Sequence, residues 1–425
     1  MTVTAINGQQ GSGRPQFKLS AKGQRALTAG HPWVYAAELS PAGESDLERA
    51  EADNGGLVDV AGTRGQYLGS GFYSAKSKIR VRLVTRNAND RPEDPAFWQR
   101  RLQYAWQYRR AVLRAEDLLC CRLIFGEADQ FPGLTVDRYN DILVAQTLSV
   151  GMERLKPVIF TQLCELLRQD GQTIHAVYER NDVSLREKEG LPQYKGFWPE
   201  TGGAAAAAAA AGSTIISENG VRFEVDYVAG QKTGYFLDQK KTRQAVAELA
   251  ASRRVLDCFT HTGSFALNAA RGGAVSVTAV DSSRLALQQA AANEALNDFA
   301  TKVDWVEADV FDFLPQLGRR APYDFVILDP PAFAKSRRVV GQALKGYKEI
   351  NYRAMKALPR GGYLATASCS HFVSPEDFAA MLGAAARDAA VELRQIAYMQ
   401  QAPDHPILLN VPETAYLKFY LFQVV

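Results

Sequence analysis

At 425 residues the chain is too long for one ordinary core, so two or three domains are expected. Apolar residues make up 47% and charged residues 22%, and no apolar run nears the roughly 20 residues of a bilayer span; with a polar N-terminus lacking an apolar signal core, no membrane-spanning helix is expected and the cytoplasm is the expected compartment. The net charge of +3 is uneven: residues 1–115 hold 17 Lys and Arg against 10 Asp and Glu, and the remainder is acidic by −4, a basic front feeding a near-neutral or acidic back.

Residues 1–16 are polar and Gly-rich without periodicity, which predicts a disordered leader. A compact module follows over 17–92, with Lys18, Lys22 and Arg25 ahead of His31-Pro32-Trp33-Val34-Tyr35 and strand-like runs at 56–60, 66–73 and 79–85. In Ile79-Arg80-Val81-Arg82-Leu83 the alternation is strict, placing apolar side chains on one face and guanidinium groups on the other. With Lys76 and Lys78 alongside, Arg80 and Arg82 form either a phosphate-contacting edge or the solvated strand face of a small barrel.

A second unit is expected over 93–200. It opens with an aromatic and arginine-rich helix at 95–113 and contains Arg122 to Tyr139, RLIFGEADQFPGLTVDRY, two strands around a Pro-Gly turn. Glu127, Asp129 and Asp137 read as solvated caps rather than as ligands or bases. Over 201–214 the chain carries eight consecutive alanines, Ala204 to Ala211, bracketed by glycines. Such a run favours helix but encodes no packing, and it is equally a linker, a low-complexity insertion or a stretch of undetermined side chains.

From 215 to 425 the pattern becomes long βα alternation, the mark of an α/β doubly wound sheet. Strands are expected at 254–259, 275–281, 302–307, 324–329, 362–368, 392–399 and 416–425, the last antiparallel to its predecessor. Asp257, Asp281, Asp309 and Asp329 close four successive strands. Residues 255–265, with a single glycine, Gly263, in the turn, are neither a dinucleotide fingerprint nor a phosphate loop. They suit a ligand without pyrophosphate whose cationic part favours a carboxylate. Asp281 is placed to accept ribose hydroxyls, and Asp309 to accept from an adenine amino group with Val310 packed on the ring.

The run ending in Asp329-Pro330-Pro331 is a buried strand with a rigid exit, and a second strand ends at Cys369. A right-handed crossover through the helical stretch 344–358 sets Asp329 and Cys369 at one carboxyl edge. Five cysteines, Cys120, Cys121, Cys164, Cys258 and Cys369, lack zinc spacing, so no metal site is expected, and their odd number argues against a disulfide framework. Cys369, between Ser368 and Ser370 and near Lys335, is expected to have a lowered thiol pKa.

This pattern resembles class I S-adenosylmethionine-dependent methyltransferases. The stretch Lys232-Thr233-Gly234-Tyr235-Phe236-Leu237-Asp238-Gln239, the loop Asp329-Pro330-Pro331-Ala332-Phe333, Gly346-Tyr347-Lys348-Glu349-Ile350-Asn351 and Ser368-Cys369-Ser370 are similar to the large-subunit 23S ribosomal RNA methyltransferase I family, which makes 5-methylcytosine. His31 to Val34, GFYSAKSKIRVRL and GEADQFPGLTVDRY resemble its N-terminal PUA and central EEHEE-type domains, so the resemblance spans about residues 17–425. Only the leader and the alanine run depart from it.

The resemblance implies S-adenosylmethionine as cofactor, held by Phe236, Asp238, Gln239, Asp257, Phe259, Thr260, Gly263, Asp281, Asp309, Val310 and Asp329. It implies 23S ribosomal RNA as partner and a homodimer. It also implies that the loop carrying Pro330, Pro331, Phe333 and Lys335 holds the target cytosine, with Asp329 on its amino or ring nitrogen. Carbon 5 of cytosine is a feeble nucleophile, and adding a thiolate at carbon 6 makes the ring an enamine; Cys369 is the candidate, while Cys258 sits in the cofactor turn. Two alternatives stand: exocyclic-amine methylation, which needs no cysteine, and a non-catalytic RNA-binding assembly factor.

Overall fold

The protein is described here from a computed structural model, over residues 13–199, 212–318 and 322–425. The alanine run and the leader through residue 12 lie outside them. The chain divides into two compact units, residues 1–111, 122–210 and 409–411 in the first, and 112–121, 211–408 and 412–425 in the second.

The first unit holds two sheets. The six-stranded one comprises β1 (Gln16–Leu19), β2 (Trp33–Tyr35), β3 (Leu39–Pro41), β4 (Leu57–Ala61), β5 (Tyr67–Tyr73) and β6 (Ile79–Thr85), in the order β2-β6-β5-β4-β1-β3, with helices α1 (Ala21–Thr28) and α2 (Glu44–Ala52). β1 begins one residue inside the expected leader, and Arg14 bonds to Asp59, Ser70 and Glu93, so the ordered chain starts earlier than its polar composition indicates. The alternation in β6 works as expected on its apolar face: Val81 and Leu83 join Phe17, Leu19, Val34, Val58, Val60 and Tyr73 in one core.

The other face of β6 carries guanidinium groups with partners inside the unit. Arg82 pairs with Glu127 at 3.2 Å and Glu189 at 3.1 Å, and its guanidinium lies over the Trp33 ring. Arg80 donates from Nη1 to the Ser74 and Ala75 carbonyls. These groups have partners within the unit, as ion pairs and turn locks, while both remain half-buried at the edge that Lys76 and Lys78 leave exposed.

The second sheet of this unit contains β7 (Cys120–Phe125), β8 (Leu134–Tyr139), β9 (Ile142–Thr147), β10 (Ala176–Asn181) and β11 (Tyr194–Phe197), in the order β11-β10-β9-β8-β7, with α3 (Pro95–Val112) and α4 (Val150–Gln169). Its acids are structural but not solvated. Asp137 is 0% exposed and takes two bonds from Arg122; Asp129 pairs with Arg109 and accepts from the Phe125 N–H; Glu127 also accepts from Trp33 Nε1 at 2.8 Å. The Pro-Gly turn signalled a loop, and only tertiary contact supplied the arginines.

The second unit begins its main span with a hairpin, β12 (Ser213–Glu218) and β13 (Val221–Asp226), whose first strand lies partly within the expected linker. The sheet that follows has seven strands, β14 (Arg254–Cys258), β15 (Ser276–Asp281), β16 (Val303–Glu307), β17 (Phe325–Leu328), β18 (Tyr363–Ser368), β19 (Leu393–Met399) and β20 (Lys418–Val424). Their order is β16-β15-β14-β17-β18-β20-β19; β14 to β18 run parallel and β20 is antiparallel to both neighbours. The helices are α5 (Lys240–Leu249), α6 (Ser264–Arg271), α7 (Arg284–Ala295), α8 (Val310–Gln316), α9 (Val340–Ala357) and α10 (Pro375–Ala389). In α9 the residues Ala343, Tyr347, Ile350, Ala354 and Ala357 recur at helical spacing and are buried, so one stripe seals it onto the sheet. Strand order reverses between β14 and β17, and a doubly wound sheet opens its ligand crevice at the carboxyl ends beside such a reversal.

Candidate active site

β17 and β18 are neighbours in parallel register, Leu328 beside Thr366, so Asp329 and Cys369 emerge at the same edge, as the crossover argument requires. Asp329 is half-buried; Pro330 behind it is buried and Pro331 exposed. Cys369 is half-buried, whereas Cys120, Cys121, Cys164 and Cys258 are all buried. Cys369 is thus the least buried of the five cysteines.

Three bonds tie the Cys369 turn down. The Tyr347 hydroxyl lies 3.1 Å from Ser368 Oγ and 3.0 Å from Ser370 Oγ, and Ser370 Oγ accepts from the Ala334 N–H at 3.3 Å. A residue of α9 thus couples the serines flanking Cys369 to the loop after Asp329. Phe333 of that loop packs on Tyr347, with centroids 4.6 Å apart, and faces Phe311 and Phe259 at 5.9 and 6.5 Å. It belongs to an aromatic wall, and Phe311, 40% exposed, is the ring of that wall offered to solvent. Sequence reasoning missed Phe311 because a phenylalanine next to Val310 carries no polar signal.

Electrostatics correct one expectation outright. Burial and then the Asp329 carboxylate push the Cys369 thiol up to about 11, against a smaller pull from Lys232 and Lys418. Lys335 is exposed and is not among the groups acting on it. The resting thiol is protonated at neutral pH, because an anion in a half-dry crevice beside a carboxylate is disfavoured. Burial also lifts Asp329 to about 6.

The four acids divide by role. Asp257 is 0% exposed and folds back under the turn: Oδ2 accepts from Thr260 Oγ1 at 2.6 Å and from the Ala266 N–H at 3.0 Å, while Oδ1 has no partner among the described residues. Burial raises it to about 7, so the full charge expected there for a cationic ligand is not present. Asp281 accepts from the His261 and Ser283 N–H groups, both at 2.9 Å, and Asp309 caps α8 through the Phe311 N–H. Val310 is 2% exposed and packed in the core.

The turn itself is wound tightly. Phe259 and His261 have φ of 63° and 52°, and Gly263 has φ of 82°, where an added Cβ would meet the Trp305 ring at 2.6 Å. Non-glycine residues seldom accept this region, and such strain concentrates at ligand sites. On the opposite bank Phe236 packs edge-on to His261 at 5.5 Å, under the Lys232 ammonium. Asp238 accepts from the Tyr416 hydroxyl at 2.6 Å, and Gln239 Nε2 donates to Asp329 Oδ2 at 2.7 Å. Behind them the buried Arg243–Glu218 pair locks the segment, with Arg243 Nη2 on the Phe236 carbonyl at 2.7 Å. An unpartnered buried carboxyl oxygen, a strained one-glycine turn and strand-end acids fit a small polar ligand.

Among the described residues no group of His, Cys, Asp and Glu is arranged to hold a metal, and no helix is long and apolar enough to cross a membrane. Residues 197–423 match the family model for S-adenosylmethionine-dependent methyltransferase, and residues 17–86 that for PUA-like domain. The chain is 39% identical over 405 residues to the ribosomal RNA large subunit methyltransferase I of Shewanella denitrificans, covering 95% of this chain and 98% of that one. The chain belongs to the ribosomal RNA large subunit methyltransferase I family. The Klebsiella pneumoniae member is 36% identical over 412 residues, 96% of this chain and 98% of its own.

Solved structures agree on the family's fold. A Streptococcus mutans chain described as a SAM-dependent methyltransferase superposes with a TM-score of 0.75 at 20% identity, over 96% of this chain and all of that one. A methyltransferase solved with SAH gives 0.75 at 19%, with the same coverage. This member of the family is a methyltransferase that uses S-adenosylmethionine.

Proposed function

We propose that this chain methylates carbon 5 of a cytosine in 23S ribosomal RNA through an adduct of Cys369 at carbon 6. The observation that carries it is the pairing of β17 with β18, which brings the one half-exposed cysteine of the chain to the same edge as Asp329. Phe236, Asp238, Gln239, Phe259, Thr260, Gly263, Asp281 and Asp309 are the residues to hold the cofactor, with Asp257 shaping the turn beneath it. When bound, S-adenosylmethionine supplies an electrophilic methyl group.

The residues of the chain do the rest. Asp329 accepts from the cytosine amino group and fixes the ring over Cys369, and Pro330 and Pro331 hold the loop rigid. Cys369 releases its proton to water and its sulfur bonds to carbon 6, breaking the carbon 5–carbon 6 double bond so that its electron pair becomes available at carbon 5. After methyl transfer the carbon 5 proton passes to water, its bonding pair re-forms the double bond and the sulfur–carbon bond breaks to return the thiolate, restoring aromaticity. Water exclusion by the aromatic wall of Phe259, Phe311 and Phe333 strengthens each of these contacts.

Residues 17–92 are proposed to bring the RNA, a role supported by the PUA-like match, with 93–200 as the intervening domain and 215–425 as the catalytic one. The relatives' name supports ribosomal RNA of the large subunit as substrate; a cytoplasmic homodimer is the accompanying proposal. The test is mass spectrometry of ribosomal RNA from cells with the chain, without it, and with Cys369→Ala. Loss of one 5-methylcytosine in both latter cases supports the reading. Retained methylation with Cys369→Ala points to direct attack by an exocyclic amine and overturns it.

A further inference from the structure

Lys418 opens β20 and is 3% exposed. Its Nζ donates to the carbonyls of Ser370 at 2.7 Å and Tyr416 at 2.8 Å, and among the described residues no carboxylate pairs with it. A buried ammonium normally finds a counter-ion, because stripping its water costs several kcal/mol that carbonyl dipoles offset only in part. The register shows what lies beside it: Lys418 stands opposite Ser368 in the β18–β20 ladder and reaches Ser370 with its side chain, so its two attachments bracket Cys369.

We propose that Lys418 is a positioning residue for the nucleophile, clamping the Cys369 turn to β20 and serving as the counter-ion of the Cys369 thiolate once it forms. This deepens the cysteine-adduct reading and rests on it. The other charges facing the thiol do not fill the same place. Asp329 and Asp238 oppose the anion; Lys232 favours it but has a half-exposed side chain that lies 4.0 Å from Asp238, where water and a carboxylate screen it. His371, packed on the Tyr416 ring at 5.2 Å, is held toward its neutral form by burial and by Lys418 and Lys232, against Glu413. Tyr347 meets the serines rather than the sulfur. Lys418 itself is pulled down to about 8 by burial, with Cys369 opposing that fall, which is the sign expected of a cation whose partner anion is absent at rest.

The experiment is the rate of iodoacetamide alkylation at Cys369 in the full chain, followed from pH 6 to 11 by mass spectrometry of the peptide that carries it. In the parent the profile should bend near pH 8, where Lys418 loses its charge before the thiol reaches its own ionisation. Lys418→Met is expected to remove that bend and to slow alkylation at pH 7 about tenfold, while Lys418→Arg keeps alkylation at pH 7 near the parent rate. A folded Lys418→Met protein with the parent's bend still in its profile overturns the proposal, since a purely structural clamp would change accessibility but not the pH profile. Should Lys418→Met not fold, Lys418→Gln is put through the same comparison, and a parent profile with no bend near pH 8 overturns the coupling by itself. RNA methylation assayed on the same preparations separates the two readings: activity retained by Cys369→Ala removes the nucleophile while the loss of the bend still reports on Lys418.

Discussion

Gln239 donates from Nε2 to Asp329 Oδ2 at 2.7 Å, and the Thr242 hydroxyl, 3.0 Å from Gln239 Oε1, fixes which end of the amide points to the carboxylate. A side chain from the segment before α5 thereby orients the acid proposed to hold the base. Gln239→Leu is expected to cut methylation on the order of tenfold to a hundredfold with little loss of fold. Gln239→Glu sets a second carboxylate against Asp329 and raises it above its present value of about 6. The acid limb of the pH–rate profile should move to higher pH in Gln239→Glu, and an unmoved limb would separate Asp329 from the activity.

Asp329 also opposes ionisation of Cys369. Asp329→Asn should therefore abolish most methylation yet speed iodoacetamide capture of Cys369 at pH 8.5 several-fold, since the thiol falls below about 11 when the negative charge is removed. Slower capture in Asp329→Asn would contradict this arrangement of charges.

Asp257 makes stability fall toward neutral pH. Its folded value of about 7 lies above the ordinary 3.8, so between those values the unfolded chain releases a proton that the folded chain retains. The contribution is fully present below about pH 4 and is lost as pH rises toward 7, on the order of a few kcal/mol. Denaturant titrations of the parent and Asp257→Asn across this window should show a steeper decline in the parent; parallel curves would refute it.

Arg82→Ala leaves Glu127 and Glu189 facing each other without their cation. A loss of about 3 kcal/mol is expected, as for other broken half-buried ion pairs. The salt dependence of RNA binding should stay where it is in protein that remains folded, because that guanidinium is committed inside the unit. A shallower salt slope would assign Arg82 the phosphate-edge role.

Much of the second unit was legible in the chain. Seven expected strands are present with ends shifted by one or two residues, because strong apolar runs bounded by polar turns leave few alternatives. The first unit was less so at its charged positions. Alternation located Arg80 and Arg82 on the correct face of β6, but nothing local says that Glu127 and Glu189, from distant parts of the chain, arrive there to pair with Arg82. Phe311 shows the same limit, since an apolar residue at a helix start carries no local sign of whether it faces core or solvent.

The chain by itself determined the order of strands and helices, the crossover that brings Asp329 and Cys369 to one edge, and the motifs that mark the family. These rest on local periodicity and on the fixed handedness of the βαβ turn, which act without distant partners. Tertiary structure alone decided that the Cys369 thiol is held protonated, that Asp257 is shared with its own turn, and that Lys418 lies buried against the Cys369 turn. Charge energetics depend on which groups lose their water together, and that is a property of packing in space rather than of neighbours along the chain.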